Sequence, residues 1–202
     1  MNHPTDDGVT KFTLNHSQCD LGAGYSITEL DKIRTTLFDN GLIGIDEFGI
    51  GFGNVSVKCH DGFLISGTGT GSVRCLGASG YCLVTQFDIA CNSVCSIGPT
   101  APSSESMSHG AIYAARDDIG SVIHGHSRSL WSALISAKFP STPDNVAYGT
   151  TAMAASVKEI VAYTATPFGL FVMAGHQDGL IAYGRNIVEA YKQISHALTL
   201  AH

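Results

Sequence analysis

Two periods of apolar residues run along the chain, and they mark out helices and strands. Ile27, Leu30, Ile33 and Leu37 recur three or four residues apart, which places them on one helix face, and Asn40-Gly41 supplies the stop. Ser26-Ile27-Thr28-Glu29 has capping-box spacing, so that helix is expected to start at Ser26. Strand-like runs follow at 55–59 and 63–66, joined by His60-Asp61-Gly62, in which Asp-Gly signals a hairpin. A Gly/Thr loop fills 66–71, and 81–90 reads as one or two further strands. Pro102-Ser103-Ser104-Glu105 reads as a helix start, Ser at the cap and acid in the first turn, with the helix running to about Arg116.

The second half repeats these signals. A strand at 121–126 leads into a helix over 127–138 and then a Pro-containing loop at 139–145. Thr150 or Thr151 caps a helix through Val157, Ile160 and Val161. Strands at 170–174 and 180–183 precede a last helix over 186–200, with Ile187, Ala190, Tyr191, Ile194 and Leu198 at helical spacing. Tight turns between strands and helices in separate groups predict an α/β fold in which helices cover a mainly antiparallel central sheet.

No Pro/Ser-rich linker divides the 202 residues, so one domain over 1–202 is expected, with 1–24 as a less regular N-terminal segment. Charged residues make up 14% of the chain, against about 25% in typical soluble proteins, which predicts a surface partly covered by other subunits. A net charge of −6 with scattered Lys and Arg gives no footprint for nucleic acid. The polar N-terminus has no apolar signal segment, and no run reaches the roughly 18 apolar residues that would span a membrane; a cytoplasmic protein is expected. The six cysteines, none in C-x-x-C, read as reduced thiols, with Cys91 and Cys95 as a minor candidate for a second metal or redox pair.

Candidate chemistry lies in the histidines. His124-Gly125-His126 ends a strand-like run, and side chains two apart on a strand share a face, so both imidazoles can reach one ion. His176 follows the strand-like 170–174, and Glu105 lies upstream. Three imidazoles and a carboxylate suit a divalent transition metal, zinc first and manganese or cobalt after it, with room left for substrate.

Gly53-Asn54-Val55-Ser56-Val57, Leu64-Ile65-Ser66-Gly67-Thr68-Gly69, Pro102-Ser103-Ser104-Glu105, His109, His124-Gly125-His126 and His176, taken in this order, resemble the class II aldolase/adducin family from about residue 28 onward. The resemblance implies a three-layer α/β/α fold, a homotetramer, and His124, His126 and His176 as zinc ligands. It implies Glu105 as the catalytic carboxylate, able to act as a fourth ligand, and Asn54, Thr68, Gly69, Ser103 and Ser104 as holders of a substrate phosphate. His109 falls in the family's Glu-x-x-x-His pattern as a supporting residue. The implied activity is a zinc-dependent aldolase: retro-aldol cleavage of a small phosphorylated ketose or related hydroxy-carbonyl compound through a metal-stabilised enediolate. A dehydratase or decarboxylase on the same site is the alternative, and a non-catalytic adducin-like scaffold the least favoured.

The chain departs from the family after its third histidine, where Gln177-Asp178 intervene before Gly179. Asp178 could orient an imidazole, serve as a second acid or base, or make the turn, and the turn is the favoured reading. The tyrosine that sugar-phosphate aldolases place between the second and third metal histidines has no aligned match; Tyr148 lies near its position.

Overall fold

The computed structural model describes residues 10–200, and within them the strand-forming runs collect into one large sheet. The first half contains β1 (Thr13–Gln18), α1 (Thr28–Asp39), the short β2 (Gly44–Ile45) and β3 (Gly51–Phe52), β4 (Asn54–Cys59) and β5 (Gly62–Ser66). Next come β6 (Tyr81–Asp88), β7 (Ser93–Gly98), α2 (Ser106–Ala115), β8 (Ser121–His126) and α3 (Arg128–Ser136). The chain closes with α4 (Thr151–Ala162), β9 (Gly169–Val172), β10 (Gly179–Gly184) and α5 (Ile187–Leu200). Eight strands lie in the order β1-β7-β6-β5-β4-β8-β10-β9. Only the β1 and β7 neighbours run parallel; the other pairs are antiparallel.

Both faces of this sheet are apolar. Phe63, Ile65, Val122 and Ile181 pack with Ile112 of α2 and Val157 of α4. On the other face Val55, Ile123 and Leu180 meet Leu37 of α1, Leu130 of α3 and Ile194 of α5. Burial on both sides explains why β8 and β10 read as continuous apolar runs rather than as alternating ones.

The start of α1 corrects the sequence reading. Ile27 is the N-cap, without a side-chain cap bond, so Ser26 lies outside the helix and Glu29 stands at its second position, where no capping box closes. Its end is as expected. Gly41 takes a φ of 70°, Leu42 N–H donates to the Leu37 carbonyl at 2.9 Å and Gly41 N–H to the Phe38 carbonyl at 3.0 Å, a Schellman closure.

Three further differences concern the sheet and α2. The segment expected to be less regular carries β1, whose half-exposed polar sequence hides an edge strand; residues 1–9 lie outside the described residues. Strand β7 has no counterpart in the sequence reading. Helix α2 begins at Ser106 rather than at Ser103, because Thr68 N–H donates to the Ala101 carbonyl and Gly67 bridges Pro102, which keeps that stretch extended. All six cysteines are free; Cys91 is exposed and Cys95 half-buried. Among the described residues the one group of three or more potential metal ligands is the histidine trio.

The outer side of β9 is covered at its Val172 end. Val172 N–H donates to the Pro140 carbonyl and Thr142 N–H to the Val172 carbonyl, both at 2.9 Å, while Ala174 N–H donates to Thr142 Oγ1. Among the described residues no helix is long and apolar enough to cross a membrane.

Candidate metal centre

His124 and His126 share one face of β8, as the strand period requires, and Gly125 between them lies against the Leu42 carbonyl. His176 comes from the turn between β9 and β10. That turn is closed by Met173 N–H on the Gly179 carbonyl at 2.9 Å and His176 N–H on the Met173 carbonyl at 3.0 Å. β10 pairs with β8 so that Gly179 faces His126, which delivers His176 to the pair. A side chain at Gly175 would collide with the Val146 carbonyl.

One ligand atom from each imidazole lies within 4.8 Å of the others. The Nε2 atoms of His124 and His126 are 3.2 Å apart, close to the roughly 3.4 Å that two nitrogens span on a tetrahedral zinc ion. His124 Nδ1 lies 3.1 Å from the Leu180 carbonyl, to which it donates; this sets the tautomer and turns Nε2 toward His126. Burial, and then the neighbouring histidine charges, hold the pKa of His126 and of His176 well below the ordinary value. Neutral imidazoles are the form a cation needs. The donor set and its spacing therefore fit a divalent metal.

Glu105 stands at the N-cap of α2, 2% exposed. Its Oε1 is 3.7 Å from His176 Nδ1, and its Oε2 accepts from Ser108 Oγ at 2.8 Å. Burial pushes its pKa up to about 7, against the opposing effects of the Ser108 hydroxyl and the Lys11 charge. With His176 neutral, this contact is no ion pair. Ser103 Oγ accepts the Glu105 N–H at 3.3 Å, so that serine holds the turn in front of the carboxylate instead of capping the helix.

Asn54 faces His124 across the β4 and β8 pairing, on the same side of the sheet. His109 Nδ1 is bonded to Ser56 Oγ at 2.7 Å, and burial drives its pKa down to about 3. Three buried polar atoms of this neighbourhood, Asn54 Oδ1, Glu105 Oε1 and His109 Nε2, have no hydrogen-bond partner. Buried polar atoms are ordinarily hydrogen-bonded, so each of these can bond a polar group that enters the site. Thr68 and Gly69 are exposed, with Gly69 at a φ of 69°, and the Thr68 bond to Ala101 sets their loop beside the buried Ser103 and Ser104.

Asp178 takes a φ of 66°, a left-handed conformation that aspartate tolerates, and it belongs to the turn. Its Oδ1 bonds to no imidazole. Three contacts are invisible in the sequence. The Phe52 ring stacks on His126 at 5.1 Å, the Tyr148 ring lies 4.8 Å from that of His176, and Lys11 Nζ sits 4.1 Å from the Tyr148 centroid. All three residues come from loops or short strands, where no periodicity marks them.

A model of the Class II Aldolase and Adducin N-terminal domain matches residues 46–202. Among solved structures, the chain is similar to L-fuculose-1-phosphate aldolase from Thermus thermophilus, at 20% identity and a TM-score of 0.63 over 85% of this chain and 88% of that one. A sugar-phosphate aldolase from Thermotoga maritima gives 18% identity and a TM-score of 0.65, over 87% and 91%. YgbL from Klebsiella pneumoniae, a protein left open among aldolase, epimerase and decarboxylase, gives 20% and 0.63, over 86% and 84%. At these identities the likeness concerns the fold. No curated protein matches the sequence.

Proposed function

The chain belongs to the class II aldolase and adducin family, and from that premise we propose that it is a zinc-dependent lyase that cleaves a small phosphorylated ketose or related hydroxy-carbonyl compound. The observation that carries this reading is the convergence of His124, His126 and His176, with Glu105 beside them. These residues would hold the cation, Glu105 as an optional fourth ligand. A divalent metal supplies positive charge that polarises a carbonyl and stabilises negative charge developing next to it.

The protein's own groups then divide the work. Glu105 takes the proton. It is buried, its proton affinity lies near neutrality, and Oε1 has no hydrogen bond to give up. Asn54, Thr68, Gly69, Ser103 and Ser104 bind the phosphate through neutral side-chain donors and amides that a glycine-rich loop leaves accessible. His109, tied to Ser56, supports the wall beside His124. The low charge content fits a homotetramer.

The test is metal analysis of untagged protein, followed by turnover of a panel of sugar phosphates. About one ion per chain and two carbonyl fragments as products are expected. Water loss or carbon dioxide release would instead select a dehydratase or a decarboxylase on the same site, and folded protein that binds no metal would favour the scaffold reading.

A further inference from the structure

Arg34 is the largest fully buried side chain of the core, 1% exposed, and it projects from α1 onto the loop that follows Thr68 and Gly69. Its Nη1 donates to the carbonyls of Val73 at 2.5 Å and Arg74 at 2.9 Å, and its Nη2 to the Thr70 carbonyl at 2.8 Å. Nε is buried without a partner. Among the described residues no carboxylate comes within ion-pair distance of this guanidinium. Asp31, one turn earlier on α1, spends its oxygens on the amides of Leu76 and Gly77 and on the Tyr81 hydroxyl.

A buried guanidinium whose hydrogen bonds all go to neutral carbonyls, with the Phe38 ring 5.7 Å away and the Asp31 charge acting on it only through space, is uncommon, because buried charges are ordinarily paired directly. The forked donors pin three peptide groups at once, which a lysine cannot reproduce. Thr70 is the link to the site: its carbonyl is held by Arg34 and its Oγ1 donates to the Gly67 carbonyl at 2.8 Å, so the turn that displays Thr68 and Gly69 is braced from behind.

We propose that Arg34 is the positioning residue of the anion-binding loop, bracing 67–74 and setting a buried positive charge behind it that a phosphate monoester on the loop completes. The proposal rests on the phosphate reading of Thr68, Gly69, Ser103 and Ser104. Arg34 touches no substrate; it acts through the peptide groups that it orients and through its field, which a desolvated setting screens weakly.

Inorganic phosphate is the probe, titrated calorimetrically into the full-length, metal-loaded protein. Wild type is expected to bind it, and the double change Ser103→Ala, Ser104→Ala to weaken it. Arg34→Gln should lower phosphate affinity about tenfold, roughly 1.4 kcal/mol, with metal content and metal affinity unchanged. Arg34→Lys, which retains charge but loses the fork, should recover part of the loss and show faster amide exchange at Gly69 and Thr70. Unchanged binding in the double serine variant overturns the phosphate reading itself. Weakened binding there, with wild-type affinity in folded Arg34→Gln, overturns only the role of Arg34. If Arg34→Gln does not fold, Arg34→Lys decides: wild-type phosphate affinity and wild-type exchange overturn the proposal, and a loss of about threefold supports it.

Discussion

At Glu105 burial changes the chemistry of a carboxylate, raising its pKa to about 7. Removing the carboxylate while keeping its shape, as in Glu105→Gln, is expected to retain the metal and lower turnover of an identified substrate by about 100-fold or more, the usual contribution of a positioned general base. Metal content and steady-state rates together check this. The same change has an opposite effect on stability. A carboxyl whose folded pKa of about 7 exceeds its ordinary 4.5 costs stability once pH rises above 4.5, and the cost is complete above 7. Metal-free Glu105→Gln should therefore be more stable than wild type at about pH 8, by up to about 3 kcal/mol, and the gap should close toward the ordinary carboxyl value; urea unfolding at several pH values measures it. Buried His109 has the reverse sign: with its pKa lowered to about 3, it contributes stability above the ordinary histidine value that is lost as pH falls from there toward 3. At this scale the candidate ligands are legible in the sequence, because a two-residue period on a strand puts His124 and His126 on one face. The ring of Tyr148 against His176 is not, since it depends on how two loops pack.

Among the elements, the interiors of helices and strands are readable and their ends less so. Thr150 accepts the Met153 N–H at 3.2 Å as the cap of α4, so Thr150→Ala should cost about 1 kcal/mol in chemical unfolding. Ser26 carries the same kind of signal ahead of α1 but lies outside the helix, and Ser26→Ala should change stability by less than about 0.5 kcal/mol. Propensity alone cannot separate the two cases, because the difference is whether the following residue is already the cap, as Ile27 is. β7 escapes notice because small residues, Ser93, Cys95, Ser96 and Gly98, mute the alternation that its buried positions do follow. The start of α2 moves for a reason that is not local: the bridge between Gly67 and Pro102 links segments far apart in sequence, and it leaves Glu105 at the helix mouth.

At the level of the whole molecule, the centre joins parts distant in sequence: a carboxylate from the mouth of α2, two imidazoles from β8, and a third from the turn beyond β9. A cation held by all of them would tie α2 to the sheet. Zinc at about 100 times its dissociation constant should stabilise the fold by about 2.7 kcal/mol and raise Tm by several degrees; a chelator should reverse the shift, and His124→Ala should abolish it in a scanning calorimeter. The backbone bonds between Val172 and the 140–142 segment carry a separate consequence. They occupy the rim of the sheet at Val172, so a strand from a second molecule cannot extend its ladder past that point. Runaway polymerisation into cross-β filaments thereby loses part of a seed beside the chemistry.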